Sequence, residues 1–209
     1  FMARQQMYIA AFCLIIISLF AGLRGYVGID THMYHTLFFM VRSMDPVEAF
    51  NKIEPMFVLL IKLSSFFSDN SFLFSGLVTA LQCLLLFLLI RTSKDPTGFL
   101  AIYIATFYLG FEFNILRAGT AILFLILASR SIRDLNGKNF YLFSILAFIC
   151  HYSSLFGFLP MFVHREKNRT PLKLFIAAFL FAIPIVIFVS RNYDLLTFRY
   201  ANYLLLDLH

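Results

Sequence analysis

The sequence predicts an all-α protein, a polytopic bundle with about six or seven membrane segments of roughly 20 residues each. Hydrophobic residues make up 61% of the 209 residues and charged residues only 13%, about half of their usual share in soluble domains. The apolar runs are long and continuous, unlike the alternating segments of about ten residues in outer-membrane barrels. Helices are the remaining way to satisfy backbone hydrogen bonds in lipid.

The first apolar segment, residues 7–23, carries no charge and predicts a membrane span. A polar stretch with mixed charge follows at 24–54, and its apolar part, 34–41, predicts a short interfacial helix. Residues 55–67 are apolar but number only 13, with Lys62 in the middle. Their short length and this charge favour a re-entrant or interfacial helix over a full crossing.

The side of the membrane on which residues 24–54 lie depends on the segment 55–67. If that segment is re-entrant or interfacial, the polar stretch lies opposite the basic loop at 129–138. If it crosses fully, both lie on the same side. The first arrangement is the one we expect, with Asp30 approaching the membrane-embedded Arg117.

Residues 72–90 predict a second span without charged side chains. The next apolar stretch, 98–129, has 32 residues, and one helix of that length would run to about 48 Å, too long for one crossing. We therefore expect a helical hairpin with its turn near residues 112–116.

Two further spans are predicted at 140–163 and 172–190, followed by a tail at 191–209 whose tyrosines favour an interfacial position. No soluble domain interrupts the pattern. The sequence thus indicates one integral membrane domain over residues 1–209, which we expect to be part of a longer protein.

The net charge of +6 indicates contact with anionic lipid headgroups rather than nucleic acid, because no basic and aromatic cluster of a nucleic-acid module is present. The three cysteines lie within apolar runs and form neither a CxxC nor a His/Cys metal spacing. His32 and His35 are close in sequence but have no further ligands nearby. We expect neither a metal site nor a cofactor.

Arg117 and His151 are the strongest candidates for a functional site, because ionisable residues inside apolar segments are costly and are usually retained for function. Counted from the loop that joins their helices, Arg117 lies roughly 20 Å and His151 roughly 18 Å away along each helix. Adjacent helices would bring both to nearly the same depth. The alternatives are an arginine that snorkels to the surface and a histidine hydrogen-bonded in the core.

Four other polar residues near these segments are also candidates, and three of them allow two interpretations. Asp30 and Glu54 are candidate general bases, but Asp30 is also compatible with a membrane-edge turn and Glu54 with an acid stabilised by a helix N-terminus. Ser154, three residues after His151, would face the same side of a helix and orient the imidazole. Lys62 either snorkels or pairs with Glu54.

Glu112 precedes Arg117 by five residues, a poor helical spacing, but the predicted turn would allow the two side chains to pair.

Short motifs in a fixed order carry a resemblance to a known family. Residues 24–34 read R-x-x-x-G-x-D-x-x-x-Y, residues 54–57 read E-x-x-F, residues 117–121 read R-x-x-x-A, and residues 151–153 read H-x-S. This ordered set resembles EpsG-type, Wzy-like polysaccharide polymerases. Arg199 and Tyr203 are similar to a later Arg/Tyr segment of that family.

The resemblance implies a GT-C-type glycosyltransferase that polymerises oligosaccharide repeat units carried on a polyprenyl diphosphate. It also implies location in the bacterial inner membrane, with the active site at the outer face. Arg117 and His151 would act at the diphosphate, with Asp30 or Glu54 as the base. The residues expected to bind substrate are Arg24, Tyr34, Lys62, Ser154, Arg199 and Tyr203.

Partners expected from the resemblance are the lipid-linked oligosaccharide, the bilayer, a chain-length regulator and a flippase, with no nucleic acid. Two other functions fit the same residues. A transporter or flippase would bind the phosphates without cleaving a bond, and inverted repeats, which would favour it, are absent from the sequence. A non-catalytic membrane scaffold would tolerate Arg117→Ala.

Overall fold

The computed structural model describes residues 2–23, 30–112, 115–133 and 136–158. Within these ranges every regular element is helical, which confirms the predicted all-α class for this part of the chain. The α-helices are α1 (Met2–Gly22), α2 (Thr31–Ser43), α3 (Pro46–Lys52), α4 (Pro55–Phe67), α5 (Ser71–Arg91), α6 (Pro96–Tyr103), α7 (Leu116–Arg133) and α8 (Gly137–Cys150). A π-helical segment (Ile104–Glu112) continues α6, and a 3₁₀ segment (Tyr152–Phe158) follows α8.

Side-chain caps explain why several helices begin where they do. Within the described ranges, the side chains of the residues before α3, α5, α6 and α8 each accept a hydrogen bond from a first-turn backbone N–H, and these residues are Asp45, Asn70, Asp95 and Asn136. Proline follows the cap in α3, α4 and α6, where its missing N–H costs nothing. Glu54 occupies the same position before α4, but among the described residues its side chain caps no backbone group.

Two shorter segments are helical as expected, while their re-entrant or interfacial position stays a prediction. The 13-residue apolar segment forms α4 with the expected bounds, and residues 34–41 lie within α2. The long apolar stretch is also divided as expected, because the π-helical segment ends at Glu112 and α7 begins at Leu116.

The prediction of one helix over residues 140–163 is wrong. Helix α8 ends at Cys150, and His151 has an extended backbone with φ −159° and ψ 117°. Apolar composition indicates that a segment avoids water, but it does not show whether the backbone hydrogen bonds are continuous. Because of this break, the His151 side chain does not point in the direction that a continuous helix would give it. The predicted elements at 172–190 and 191–209 lie outside the described residues.

An aromatic cluster joins α2, α4 and α5. Phe74 stacks on Phe38 with 6.4 Å between ring centroids and meets Phe57 edge-on at 6.1 Å. All three rings are fully buried. Because Phe57 lies in the first turn of α4, this cluster fixes the position of the residue that precedes the helix, Glu54.

Helix α7 packs against α5 and α8, and α8 also contacts α4. The short connection between α7 and α8 makes them antiparallel neighbours. The beginning of α7 and the end of α8 are therefore at one end of the bundle, next to the beginning of α4.

The surface of α1 is strongly apolar. Tyr8, Phe12, Leu19 and Phe20 are each more than half exposed, whereas soluble monomers rarely present such a contiguous apolar surface. Residues Gln5–Gly22 of α1 and the whole of α5 are long and apolar enough to cross a membrane, and α4, α8 and the helix from Pro96 to Tyr108 are shorter apolar helices. These features support lipid contact along α1.

Candidate functional site

One buried carboxylate connects the two basic residues that the sequence singles out. Oε2 of Glu54 accepts a hydrogen bond of 2.8 Å from Nη1 of Arg117, and Oε1 lies 3.1 Å from Nδ1 of His151. Glu54 is only 6% exposed. The structure thus brings Glu54, Arg117 and His151 into one site, although they are separated by 63 and 97 residues along the chain.

Arg117 is held by the backbone at the start of α7. Its N–H lies 3.4 Å from the Tyr34 hydroxyl. The carbonyl of the preceding Leu116 accepts hydrogen bonds from Thr120 Oγ1 at 2.8 Å and from Gln82 Nε2 at 3.4 Å. Helices α2 and α5 therefore both fix the first turn of α7, from which the guanidinium extends to Glu54.

His151 is held by its position at the end of α8. Its N–H still donates to the Ala147 carbonyl at 2.9 Å, and its own carbonyl accepts from Ser154 N–H at 3.0 Å. The extended backbone between these two bonds directs the imidazole toward Glu54.

Helix dipoles give the two basic residues different surroundings. The first turn of a helix carries partial positive charge and favours anions, so an arginine there is unfavourable unless it has an anionic partner. Glu54 is that partner for Arg117. His151 follows the last turn of α8, where a helix carries partial negative charge.

Exposure separates the three side chains. Those of Arg117 and His151 are 27% and 32% exposed, whereas that of Glu54 is 8% exposed. The two basic residues can therefore contact a substrate, while Glu54 lies beneath them.

Glu54 precedes α4 and lies outside the two long apolar helices. Burial alone would raise the pKa of its carboxyl, but the hydrogen bond with His151 and the charge of Arg117 outweigh burial and lower the pKa to about 2. The carboxylate is therefore ionised at neutral pH.

Two further predicted residues, Tyr34 and Asp30, belong to the start of α2. Tyr34 is buried and contacts the Arg117 backbone. Asp30 is the residue before α2, one turn from Tyr34, and Asp30 O accepts the Tyr34 N–H at 3.0 Å. In the part of the chain that is described, no hydrogen bond or ion pair joins the Asp30 side chain to Glu54, Arg117 or His151.

Of the two alternatives for Lys62, snorkelling or pairing with Glu54, the pairing is contradicted by the structure. Nζ of Lys62 donates to the carbonyls of Met44, at 2.7 Å, and Arg42, at 3.2 Å. These are the free carbonyls at the end of α2, which attract a cation. Glu54 is instead neutralised by Arg117, which provides a planar two-pronged donor.

Ser154 does not orient His151 as predicted. Both residues lie after the end of α8, His151 with an extended backbone and Ser154 in the 3₁₀ segment, so they do not share a helix face. Within the described residues the buried Ser154 hydroxyl has no hydrogen-bond partner. The predicted pairing of Glu112 with Arg117 concerns a side chain that lies outside the described residues, as do Arg24, Arg199 and Tyr203. His35 Nδ1 contacts the Ser71 hydroxyl.

Gln82 is a contributor that the sequence interpretation missed. It is 1% exposed in the middle of the apolar helix α5 and donates to the Leu116 carbonyl. The signal was available, since an amide inside an otherwise apolar span is costly and usually has a specific partner.

The three residues of the site lie within a region that is similar to a known protein family. No curated protein and no solved structure matches the chain significantly. The profile described as the EpsG family matches residues 7–207, a range that contains all three residues of the site. Because the match covers nearly the whole sequence and agrees with the resemblance of the short motifs, the chain belongs to the EpsG family.

Proposed function

We propose that the protein is a membrane glycosyltransferase that polymerises oligosaccharide repeat units linked to polyprenyl diphosphate. The observation that carries this proposal is the arginine of the first turn of α7, held beside a histidine by one buried carboxylate. Membership of the EpsG family supports a role in polysaccharide biosynthesis at a membrane.

The location of the donor explains why such an enzyme is embedded in lipid. A polyprenyl chain does not leave the bilayer, so the enzyme must present its site to a substrate that arrives through the membrane. The apolar surface of α1 and the length of α5 support this arrangement. We place the protein in the bacterial inner membrane, with a GT-C-like bundle of about six or seven segments and the site at the outer face.

The leaving group determines what Arg117 does. When the bond from the anomeric carbon to the diphosphate breaks, negative charge develops on the departing oxygen, and preorganised donors stabilise it. Arginine has five N–H donors, and the hydrogen bond to Glu54 is made through Nη1. The N-terminus of α7 adds a second source of positive potential.

Glu54 prepares this group before substrate arrives. A guanidinium without an anionic partner would be repelled by the helix N-terminus and would be free to change rotamer. The bond to Glu54 fixes its direction and balances its charge. A diphosphate carries more negative charge than one carboxylate, so the pair attracts the substrate without having to be broken.

The other predicted residues complete the proposal. Tyr34 contacts the start of α7, and we propose that Tyr34 and Asp30, one turn before it, position the acceptor sugar. Arg24, Arg199 and Tyr203 remain candidate contacts for the lipid-linked oligosaccharide. The product and donor imply two cooperating proteins, a flippase that supplies lipid-linked units and a regulator of chain length.

Purified protein in lipid nanodiscs, incubated with a polyprenyl-diphosphate oligosaccharide, tests the proposal. We expect products that are longer by whole repeat units, together with free polyprenyl diphosphate. Arg117→Ala should reduce the rate by roughly 10²–10³. Arg42→Ala is the matched control, because it also removes an arginine–carboxylate pair, with Asp69, on the surface, and it should elongate normally.

Two outcomes would overturn this function. Wild-type elongation that persists at full rate in Arg117→Ala would remove the catalytic assignment. Movement of the intact lipid-linked unit across a vesicle membrane, without longer products, would identify a transporter instead.

A further inference from the structure

We propose that His151 is the general base that activates the acceptor hydroxyl, and that Glu54 is the positioning residue that holds the imidazole in the required tautomer. This assignment rests on the glycosyl transfer proposed above. It departs from the sequence-based expectation that placed His151 at the diphosphate and made Asp30 or Glu54 the base.

The hydrogen bond to Glu54 fixes which nitrogen of His151 carries the proton. An ionised carboxylate can only accept hydrogen bonds, so Nδ1 at 3.1 Å from Oε1 must be the protonated nitrogen. Nε2 of the neutral ring then has a lone pair. Among the residues that the structure describes, no other hydrogen bond of the imidazole competes for it.

Glu54 itself is poorly suited to be the base. Both of its oxygens are engaged, one by Arg117 and the other by His151. Its side chain is nearly inaccessible, and its low pKa makes it a weak proton acceptor. Within the described ranges, no hydrogen bond or ion pair joins the Asp30 side chain to either basic residue.

The chemistry of the two substrates indicates which of them requires a proton transfer. A diphosphate is a stable anion and departs without being protonated, whereas a sugar hydroxyl is a poor nucleophile until its proton is removed. We therefore assign His151 to removing the proton of the acceptor hydroxyl. Arg117 stabilises the diphosphate of the donor.

Nε2 of His151 takes the hydroxyl proton while the acceptor oxygen forms a bond to the anomeric carbon. The bond from that carbon to the diphosphate oxygen breaks, and the electron pair leaves with the diphosphate, facing Arg117. The imidazolium that results is stabilised by Glu54. Solvent later accepts the proton.

Glu54→Gln tests the positioning role. The amide oxygen can still accept from Arg117, but its NH₂ group then faces Nδ1 of His151 and donates to it. The ring proton moves to Nε2, and the base is lost. A comparable carboxylate-to-amide change beside a catalytic histidine lowers kcat about 10⁴-fold in serine proteases. We expect a loss of roughly 10²–10⁴ in kcat, with little change in KM for the donor.

His151 is tested by two variants. His151→Gln keeps an N–H donor for Glu54 and so preserves the Glu54–Arg117 pair, but it has no base, and we expect it to lose roughly 10²–10⁴ in kcat. His151→Ala leaves space for a small molecule, and added imidazole should restore part of its activity in proportion to imidazole concentration. Imidazole should not restore Arg117→Ala.

The outcomes separate this inference from the proposed function. If wild-type protein produces no longer chains and no free polyprenyl diphosphate, the glycosyl transfer itself is wrong. If wild-type elongates and His151→Gln retains full kcat, or imidazole fails to restore His151→Ala that is folded, the base assignment is wrong while the function stands. Retention of full kcat by Glu54→Gln would refute its positioning role.

Discussion

Glu54 and Arg117 form an ion pair with 2.8 Å between Oε2 and Nη1, although 63 residues separate them in the chain. Glu54 stands where Asp45 and Asp95 cap their helices, but its side chain contributes to the site instead. Helix α4 therefore lacks a side-chain capping hydrogen bond, which is typically worth about 1 kcal/mol. The Glu54 carboxylate instead fixes the position of the Arg117 guanidinium.

Replacing Arg117 with lysine should restore only a small part of the activity that Arg117→Ala loses. Lysine keeps the charge, so the carboxylate remains neutralised, but it lacks a planar fork that can hold Glu54 and a phosphate at once. We expect kcat of Arg117→Lys to be at least tenfold below wild type. Removal of one charge-stabilising donor, as in Arg117→Ala, lowers the rate by roughly 10²–10³.

The check is the rate of polyprenyl diphosphate release by equal amounts of folded variants. Wild-type kcat in Arg117→Lys would mean that charge alone is sufficient and that the planar geometry is irrelevant.

Acid should weaken the fold through Glu54. Its folded-state pKa is lowered from 4.5 to about 2, so its contribution to the free energy of unfolding is complete above about pH 4.5 and is lost as the pH falls toward 2. The groups that act on this carboxyl are Arg117, His151 and the carboxyl's own backbone N–H.

Thermal unfolding in detergent, measured from pH 7 down to pH 3, gives the readout. The Tm of wild type should fall more steeply below pH 4.5 than that of Glu54→Gln, whose amide does not titrate. Parallel Tm curves for the two proteins would contradict the ion pair.

Lys62→Ala should act on stability rather than on chemistry. Nζ satisfies two carbonyls at the end of α2, and loss of a hydrogen bond to a charged group costs about 1.5–3 kcal/mol. We expect the lower part of that range, because Lys62 is half-buried. Tm should decrease, while kcat of the folded fraction changes less than twofold.

Lys62→Arg should recover most of the Tm, since a guanidinium can also donate to both carbonyls. A large fall in kcat at unchanged Tm would instead assign Lys62 to substrate binding, as the sequence alone suggested.

Parts of this site follow from sequence because they depend on local geometry. The sequence predicts that Arg117 and His151 lie side by side, because both are nearly the same number of residues from one short loop and neighbouring helices joined in this way pack antiparallel. The bounds of α4 follow from Pro55 and from the polar residues after Phe67. In both cases the residues on which the prediction depends are close together in the sequence.

The contacts of Glu54 and Lys62 could not be obtained in this way. Each joins segments that are far apart in sequence, and an acid before a proline has the same local pattern whether it caps its helix or pairs elsewhere. The break at His151 is similar, because the residues around it are as apolar as those of a continuous helix. The residue that His151 contacts there, Glu54, lies 97 residues earlier in the chain.

Gln82 should affect activity more than stability. Nε2 bonds the Leu116 carbonyl, while Oε1 is buried without a partner among the described residues. Gln82→Met removes the hydrogen bond and also the unpaired oxygen, and such replacements in a buried site are often nearly neutral for stability. Leu116, however, loses one of the two groups that fix the turn from which Arg117 extends.

We therefore expect the Tm of Gln82→Met to stay within a few degrees of wild type, while kcat falls roughly tenfold, because small displacements of a catalytic group are costly. Cys83→Ala, one residue further along α5, is the control and should leave kcat unchanged. The two measurements are the melting curve and polyprenyl diphosphate release from the same preparations. An unchanged kcat would show that the Thr120 hydroxyl, which bonds the same carbonyl, is enough to hold Arg117 in place.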